Sequence, residues 1–478
     1  MLRVNPLNPK DRVRIPRQAC LEQPARTRWS TFQEVSSGFD HEQARLEASR
    51  CLECRDPVCT KGCPVGVDVR GFIQDLLRDD IATAAERIRR TNALPAICGR
   101  VCPQESQCEA ACTMGRKFEP VAIGKLERFV ADWEAAHRPA WQRPAPRPTG
   151  PRVAVVGSGP AGLTCAAELA QRGYRVTVLE ALHALGGVLR YGIPEFRLPR
   201  EVLDRELRLL GALGVETRTN VLVGRSVTID ELMDEEGFTA VFLATGAGTP
   251  LFLGIPGENL CGVYSANEFL TRVNLMGAHR FPEHATPVRL GREVAVVGGG
   301  NTAMDAVRTA RRLGAEKAWL LYRRSRQEMP ARVEEIHHAE QEGVDIRFLT
   351  SPVRIVGDAA AAVTGIECET MELGAPDASG RRRPVAVPGS THVLPVQTVI
   401  VAVGQRPNPI VQATTPGLGT GAHGVVTVDE AQRTNRPGVF AGGDLSRGGA
   451  TVILAMRDGR RAAAAIDDWV REGALRPA

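Results

Sequence analysis

Two stretches of this chain, Arg152-Val-Ala-Val-Val-Gly157-Ser-Gly159-Pro-Ala-Gly162 and Glu293-Val-Ala-Val-Val-Gly298-Gly-Gly300-Asn-Thr-Ala303, carry one pattern twice. Each is a β-branched run that ends in glycine and leads into a helical stretch. A strand buried on both faces reads as such a run, where a half-exposed one would alternate. The first glycine permits a tight turn and the second lets backbone approach a pyrophosphate. The third small residue lets helix and strand pack closely, and the helix N-terminus offers N–H groups to phosphate. AVFLATGAG and TVIVAVGQR repeat a second signature, strand then Ala-Thr-Gly or Ala-Val-Gly. With helical stretches between the runs, the pattern predicts α/β layering, parallel sheets and two nucleotide-binding domains of similar plan.

The two units differ at the end of the second strand. In the first, Glu180 stands where an acid accepts from a ribose hydroxyl. In the second the acid is missing and Tyr322-Arg323-Arg324 takes its place. A planar guanidinium pairs bidentately with phosphate, so Arg323 and Arg324 predict a ribose 2′-phosphate and NADP(H). A solvated basic edge is the plainer reading. Further on, GVFAGGDLSRGGATVILAMRDGR offers a strand, Gly442-Gly443-Asp444 and a glycine-led helix. Asp444 is placed to bind a flavin's ribityl or phosphate, and the helix start near Thr451 to stabilise a reduced ring. Alternatively this is a surface turn with an N-capping aspartate.

Ahead of these units lie two cysteine groups, C-x2-C-x4-C-x3-C-P at Cys51, Cys54, Cys59 and Cys63, and C-x3-C-P-x4-C-x3-C at Cys98, Cys102, Cys108 and Cys112. A secreted disulfide scaffold would be cysteine-dense throughout, but the long remainder holds only Cys165, Cys261 and Cys368. Zinc sites close one tetrahedron from two short pairs. Cysteine runs that end in Cys-Pro are found in bacterial ferredoxins, and eight thiolates suit two [4Fe–4S] clusters. Redox-inert zinc would leave a flavin's electrons stranded, so iron–sulfur is the expectation and a structural zinc or interaction module the alternative.

At 478 residues the chain exceeds one hydrophobic core. Its charge of +5 is small and forms no basic tail, so nucleic acid is not implied. No apolar run spans a bilayer, and MLRVNPLNPKDRVRIPRQ lacks a signal peptide's apolar core, so the expected location is cytoplasmic. Apolar spacing predicts helices over Asp68–Asp79, Ile81–Arg90 and Val121–Glu134. Five prolines between His137 and Arg152 predict an extended linker.

The motifs at Gly157, Glu180, Thr245-Gly246, Gly298 to Arg324 and Gly443-Asp444, in this order, resemble the two-dinucleotide flavoprotein fold of the thioredoxin and adrenodoxin reductase kind. A redox Cys-x-x-Cys is absent from residues 281–400, so dithiol chemistry is not expected. CLECRDPVCTKGCPVGVDV, GRVCPQESQCEAACT, GGVLRYGIPEFRLPREV, YRRSRQEMPARVEE and AGGDLSRGGATVILAMRDGR extend the likeness over nearly the whole chain. It resembles the glutamate synthase small (β) subunit family, and is similar to the N-terminal half of dihydropyrimidine dehydrogenase and to the large subunit of the NADH-dependent ferredoxin:NADP oxidoreductase.

That resemblance implies a helical iron–sulfur domain and linker at 1–145, a first FAD segment at 146–280, an NADP(H) domain at 281–400 and a second FAD segment at 401–478. It implies FAD at Gly157, Gly159, Gly162, Glu180, Gly187, Thr245, Gly246, Gly443, Asp444 and Thr451. NADPH would lie at Gly298, Gly300, Asn301, Ala303, Arg323 and Arg324. Cys51, Cys54 and Cys59 with Cys112 would hold one cluster and Cys63, Cys102 and Cys108 the other. Cys98 and Glu127 compete for its last position. Hydride transfer needs alignment, not an acid–base residue. Electrons would pass to the FMN of a glutamate synthase large (α) subunit, which makes glutamate from glutamine and 2-oxoglutarate, within a higher αβ oligomer. The same module serving ferredoxin or a pyrimidine-reducing subunit is the alternative.

Overall fold

The computed structural model describes residues 7–138, 148–378 and 380–474. Most of the expected proline linker, 139–147, lies outside the described residues.

Residues 41–137 form a helical domain: α1 (His41–Ser49), α2 (Val69–Leu77), α3 (Ile81–Arg89), α4 (Pro95–Val101) and α5 (Ile123–His137). Local sequence starts these helices. Asp68 and Asp80 accept from the Gly71 and Thr83 backbone N–H groups, and Asp40 and Gln43 form a capping box. Phe72, Ile73, Leu76, Ile88, Leu126 and Val130 bury the apolar faces. Cys51, Cys54, Cys63, Cys102, Cys108 and Cys112 sit at helix ends or in turns, whereas Cys59 and Cys98 lie within short helices. Residues 7–38 pack along this domain as a strap. Arg12 pairs with Glu53 at 2.9 Å and donates to the Cys51 carbonyl at 2.8 Å.

The rest is built on two five-stranded parallel sheets. The first runs through β1 (Arg152–Val156), α6 (Pro160–Gln171), β2 (Arg175–Leu179), β3 (Glu216–Arg218) and β4 (Ala240–Leu243). The chain then crosses through β5 (Thr249–Pro250) to a second sheet. That sheet contains β6 (Val263–Ser265), β7 (Glu293–Val297), α7 (Asn301–Arg312), β8 (Lys317–Tyr322), α8 (Val333–Gln341) and β9 (Asp345–Phe348). An antiparallel insert follows: β10 (Thr350–Gly357), β11 (Val363–Pro376), β12 (Arg382–Ala386) and β13 (His392–Pro395). Strand β14 (Thr398–Val401) completes the second sheet, and β15 (Gln405–Arg406) pairs antiparallel with β5 where the two crossings meet. Strand β16 (Val439–Ala441) and the long α9 (Val452–Ala474) close the first fold.

The strand orders are equivalent, β16-β4-β1-β2-β3 in one sheet and β6-β14-β7-β8-β9 in the other. One boundary differs from expectation. Strand β6 pairs with β14, so the second fold begins near residue 263 and not at 281. A three-residue edge strand with no glycine turn gives the sequence nothing to announce it. The helical domain shares one apolar core with the first fold, whereas the second fold has cores of its own.

Candidate functional site

Both glycine turns bring a helix N-terminus to one cleft of about 1350 Å³. Gly157 has φ +104°, and a Cβ there would lie 2.5 Å from the Ala244 carbonyl oxygen. Gly159 caps α6 with extended backbone, and a Cβ on it would meet no atom within 4 Å. A Cβ on Gly162 would sit 1.9 Å from the Gly157 carbonyl oxygen, so helix and turn touch backbone to backbone. In the second turn a Cβ on Gly298 would lie 2.4 Å from the Ala402 carbonyl oxygen, and Gly300 caps α7 with open space beside it. Ala303 fits with its methyl buried. Neither cap carries a side chain, which leaves the first N–H groups of α6 and α7 for a phosphate.

The second-strand residues diverge as the sequence suggests. One Glu180 oxygen accepts from the Ser158 N–H at 2.9 Å and from its hydroxyl, and the other from the Leu182 N–H at 2.9 Å. Glu180 therefore ties strand end to turn while lining the cleft. The Ser158 hydroxyl in turn accepts from Gly186 N–H at 2.9 Å, and Gly187 packs on Gly159 so closely that its Cβ would lie 2.7 Å from the Gly159 Cα. In the second fold Arg323 is exposed and lines the cleft. Arg324 also borders it but is buried, pairs with Asp377 at 2.7 Å and donates to the Arg382 carbonyl at 2.8 Å. The two arginines are thus not equivalent. The Asn301 side-chain oxygen accepts from the Arg332 N–H at 3.0 Å.

Thr245, Gly246, Gly443, Asp444 and Thr451 all line the cleft. The buried Thr245 hydroxyl has no partner among the described residues, Gly246 has φ +69°, and a Cβ on it would meet none of their atoms within 4 Å. Burial pushes the Asp444 carboxyl up to about 6 against the opposing Ala450 N–H and Arg447. The Thr451 hydroxyl caps the first turn of α9 through Leu454 N–H at 3.4 Å. An orphaned hydroxyl and glycines open to the cleft fit a bound dinucleotide.

The thiols gather into two sets that mix both sequence groups. Cys54, Cys59 and Cys112 face Cys51, and burial with these neighbours pushes its thiol up to about 12. Cys102 and Glu127 face Cys63, whose thiol burial raises to about 11, and the same two face Cys108. Among the described residues, no three of these sulfurs lie within 4.8 Å of one another. A tetrahedral zinc with sulfur at ~2.3 Å would draw them to about 3.8 Å. Thiols gathered in two sets, one of them with a buried carboxylate, suit four-iron clusters, whose positive iron would also reverse the rise in thiol pKa. Glu127 is buried, and burial raises its carboxyl to about 7. Its one hydrogen-bond partner among the described residues is Asn92, at 2.6 Å. Cys98 lies in α4, against Asn92 at 3.6 Å and Met456 of α9 at 3.5 Å.

Several residues of the site are not among those the sequence singled out, although Val101, Pro103 and Arg197 lie within stretches that carry the resemblance. Val101 and Pro103, which flank Cys102, line the dinucleotide cleft, so the second thiol set abuts it. Arg197, on the segment after Gly187, pairs with Asp305 of α7 at 2.7 Å beside the cleft. Arg381 joins the lining from the antiparallel insert.

Residues 28–139 match the family described as dihydropyrimidine dehydrogenase domain II, 4Fe-4S cluster, and residues 151–459 match pyridine nucleotide-disulphide oxidoreductase. The chain is 37% identical to the glutamate synthase [NADPH] small chain of Escherichia coli, over 94% of this chain and 96% of that one. The chain belongs to the glutamate synthase small-chain family. It is accordingly a flavin- and pyridine nucleotide-dependent oxidoreductase with an iron–sulfur domain. Within this wider group it is also 40% identical to the NADP(+)-dependent formate dehydrogenase subunit beta of Moorella thermoacetica, covering 88% of this chain and 60% of that one. Among solved structures, FprA of Mycobacterium tuberculosis in complex with NADPH matches with a TM-score of 0.57 at 24% identity, over 69% of this chain and 87% of that chain. That likeness gives the fold. Among the described residues no helix is long and apolar enough to cross a membrane.

Proposed function

We propose that this chain oxidises NADPH through FAD and sends the electrons through two [4Fe–4S] clusters to a separate glutamate synthase large subunit. What carries the reading is the meeting of three sites. Both glycine turns and the residues flanking Cys102 line one cleft, so the thiol domain lies where electrons leave a flavin. When bound, a flavin takes a hydride from NADPH and releases electrons singly, and iron–sulfur clusters accept them one at a time.

The chain's own part is to bind and align. The α6 and α7 N-termini receive the two pyrophosphates, Glu180 holds the first turn and meets the ribose, and Arg323 meets the 2′-phosphate. The α9 N-terminus favours negative charge near Thr451. Cys51, Cys54, Cys59 and Cys112 are the ligands of one cluster, and Cys63, Cys102, Cys108 and Glu127 those of the other. Glu127 is preferred to Cys98 because it faces both Cys63 and Cys108 and is a buried carboxylate with no cation beside it among the described residues. Such a group is costly unless a positive centre neutralises it.

The large subunit would carry FMN and convert glutamine and 2-oxoglutarate to glutamate, in an αβ oligomer within the cytoplasm. The small-chain likeness running the length of both proteins supports this partner. A second reading, the same module feeding another acceptor, is favoured by the 40% identity to the formate dehydrogenase subunit, against 37% to the glutamate synthase small chain. The test is NADPH-dependent glutamate formation with and without a candidate large subunit. The chain alone should reduce artificial acceptors and form no glutamate. Dye reduction without any glutamate in the reconstituted pair would move the assignment to the second reading. Iron analysis of Glu127→Ala and Cys98→Ala decides the ligand: loss of iron should follow the first.

A further inference from the structure

We propose that the segment Ala331-Arg332-Val333 is a strut between the nucleotide turn and the second thiol set, with Arg332 the positioning residue that ties the one to the other. The inference rests on the reading above, of NADPH at the second glycine turn and a cluster held by Cys63, Cys102, Cys108 and Glu127.

The backbone N–H groups of the segment are answered from two directions. A helix start leaves its first N–H groups without partners inside the helix, and Arg332, which caps α8, supplies no capping side chain of its own. Ala331 N–H donates to the Gly299 carbonyl at 3.1 Å and Arg332 N–H to the Asn301 side-chain oxygen at 3.0 Å, both on the nucleotide turn. Val333 N–H instead donates to the Glu105 carboxylate at 3.0 Å, in the helical domain. A carboxylate of one domain thus completes a helix N-terminus of another.

The buried Arg332 side chain makes the same crossing. Its Nη1 donates to the Arg100 carbonyl at 2.7 Å and its Nη2 to the Gln104 side-chain oxygen at 3.3 Å, on either side of Cys102 in the chain. Gln104 carries the contact inward. Its Nε2 donates to the Cys98 carbonyl at 3.2 Å, and a Cβ on Gly124 of α5 would lie 2.2 Å from that nitrogen. Next along the strut, Glu334 pairs with Lys125 of α5 at 2.6 Å. The turn that bears Cys102 and the helix that bears Glu127 are therefore both held from the nucleotide fold. A pyrophosphate on the α7 N-terminus fixes the turn from Gly298 to Asn301. The strut then loses freedom, and the Cys102 turn loses it too, so that nucleotide binding stiffens the protein around the second thiol set.

The experiment follows backbone hydrogen exchange of the purified, cofactor-loaded chain with and without 2′-phospho-ADP-ribose, a probe that has the pyrophosphate and no nicotinamide. In the wild type the probe should slow exchange at residues 99–106 about tenfold, and slow it also at 298–303. In Arg332→Met the slowing at 99–106 should vanish while that at 298–303 remains. Direct cover by the probe, through Val101 and Pro103 on the cleft wall, would survive this substitution and overturn the proposal. Glu105→Ala, at an exposed position that does not endanger folding, removes one tie and should reduce the slowing at 99–106 to about threefold. Should Arg332→Met lose its iron, this variant decides, and unchanged slowing in it overturns the proposal. A wild type slowed at 298–303 and not at 99–106 overturns the strut and leaves the NADPH reading intact; no slowing at 298–303 overturns both.

Discussion

Helices α6 and α7 do the same work at their N-termini and opposite work along their backs. Helix α6, PAGLTCAAELAQ, is almost wholly apolar and packs on α9 so closely that a Cβ on Gly459 would lie 2.2 Å from the Ala161 carbonyl oxygen. Helix α7, NTAMDAVRTARR, buries Asp305, Arg308 and Arg312. Asp305 pairs with Arg197, Arg308 with Glu335 and Glu342, and Arg312 with Glu342. Arg28 of the strap reaches the same Glu342 at 3.1 Å. The first fold is thus merged by apolar packing, and the second is mounted by an internal ion cluster. The glycine-turn end of the unit is built alike in both folds, and its back differs.

The largest test of this contrast is Arg308→Ala. It removes the cation that Glu335 and Glu342 share, and breaking such a buried pair costs about 3–5 kcal/mol. The denaturation midpoint should fall accordingly, and a drop no larger than that of a surface arginine would remove the ion cluster from the account. Acid should act on the same side of the molecule. Burial alone would raise Glu335 and Glu342, but Arg197 and Arg308 beside the one, and Arg308 and Arg312 beside the other, hold both down to about 2 from an ordinary 4.5. Their contribution is therefore complete above pH 4.5 and is lost as pH falls toward 2. Asp305, raised by burial to about 6 despite Arg197, runs in the opposite sense, its contribution being lost as pH rises through 6. Stability measured from pH 7 downward should rise modestly to about 4.5 as Asp305 takes its proton and then drop as Glu335 and Glu342 take theirs; a level profile to pH 3 would contradict the ion-pair mounting.

Smaller effects separate the two turns. Gly162→Ala forces a methyl onto the Gly157 carbonyl, and overpacking of about 1–3 kcal/mol should cut flavin retention roughly 10- to 100-fold, read as bound flavin per chain. Arg323→Ala should lower kcat/KM for NADPH about tenfold without touching NADH. An unchanged preference would detach the arginine from the phosphate. Ala303→Gly, the reciprocal of the first change, should cost only about 0.5–1 kcal/mol in helix stability and leave nucleotide selection alone.

The turns were legible because a phosphate imposes glycine at fixed spacing. Helices α2, α3 and α5 were legible because their buried faces are apolar. Periodicity reads burial through hydrophobic residues, so Arg308 and Arg312 look solvated in sequence although both are buried. The same blindness hid Arg324, which reads as half of a phosphate clamp and is held instead by Asp377. Cys98 and Glu127 could not be ranked from spacing, since spacing does not say which thiols each faces in three dimensions. The insert β10–β13 gave no warning because antiparallel hairpins without a ligand carry no obligatory motif.

The shared apolar core of the helical domain and the first fold has a consequence for how the chain is wired. Leu126 and Val130 on one side and Leu163, Leu169 and Ile466 on the other belong to a single contiguous interior. Arg89 crosses the same boundary, buried between Glu134 and Glu206. Peptide continuity is therefore not what keeps the thiols beside the cleft; the two parts would stay in register even if the backbone between them were cut. An electron passing from the cleft to the thiols would cross this packed interior and not follow a tether, so its transfer would be set by a fixed gap and not by an encounter.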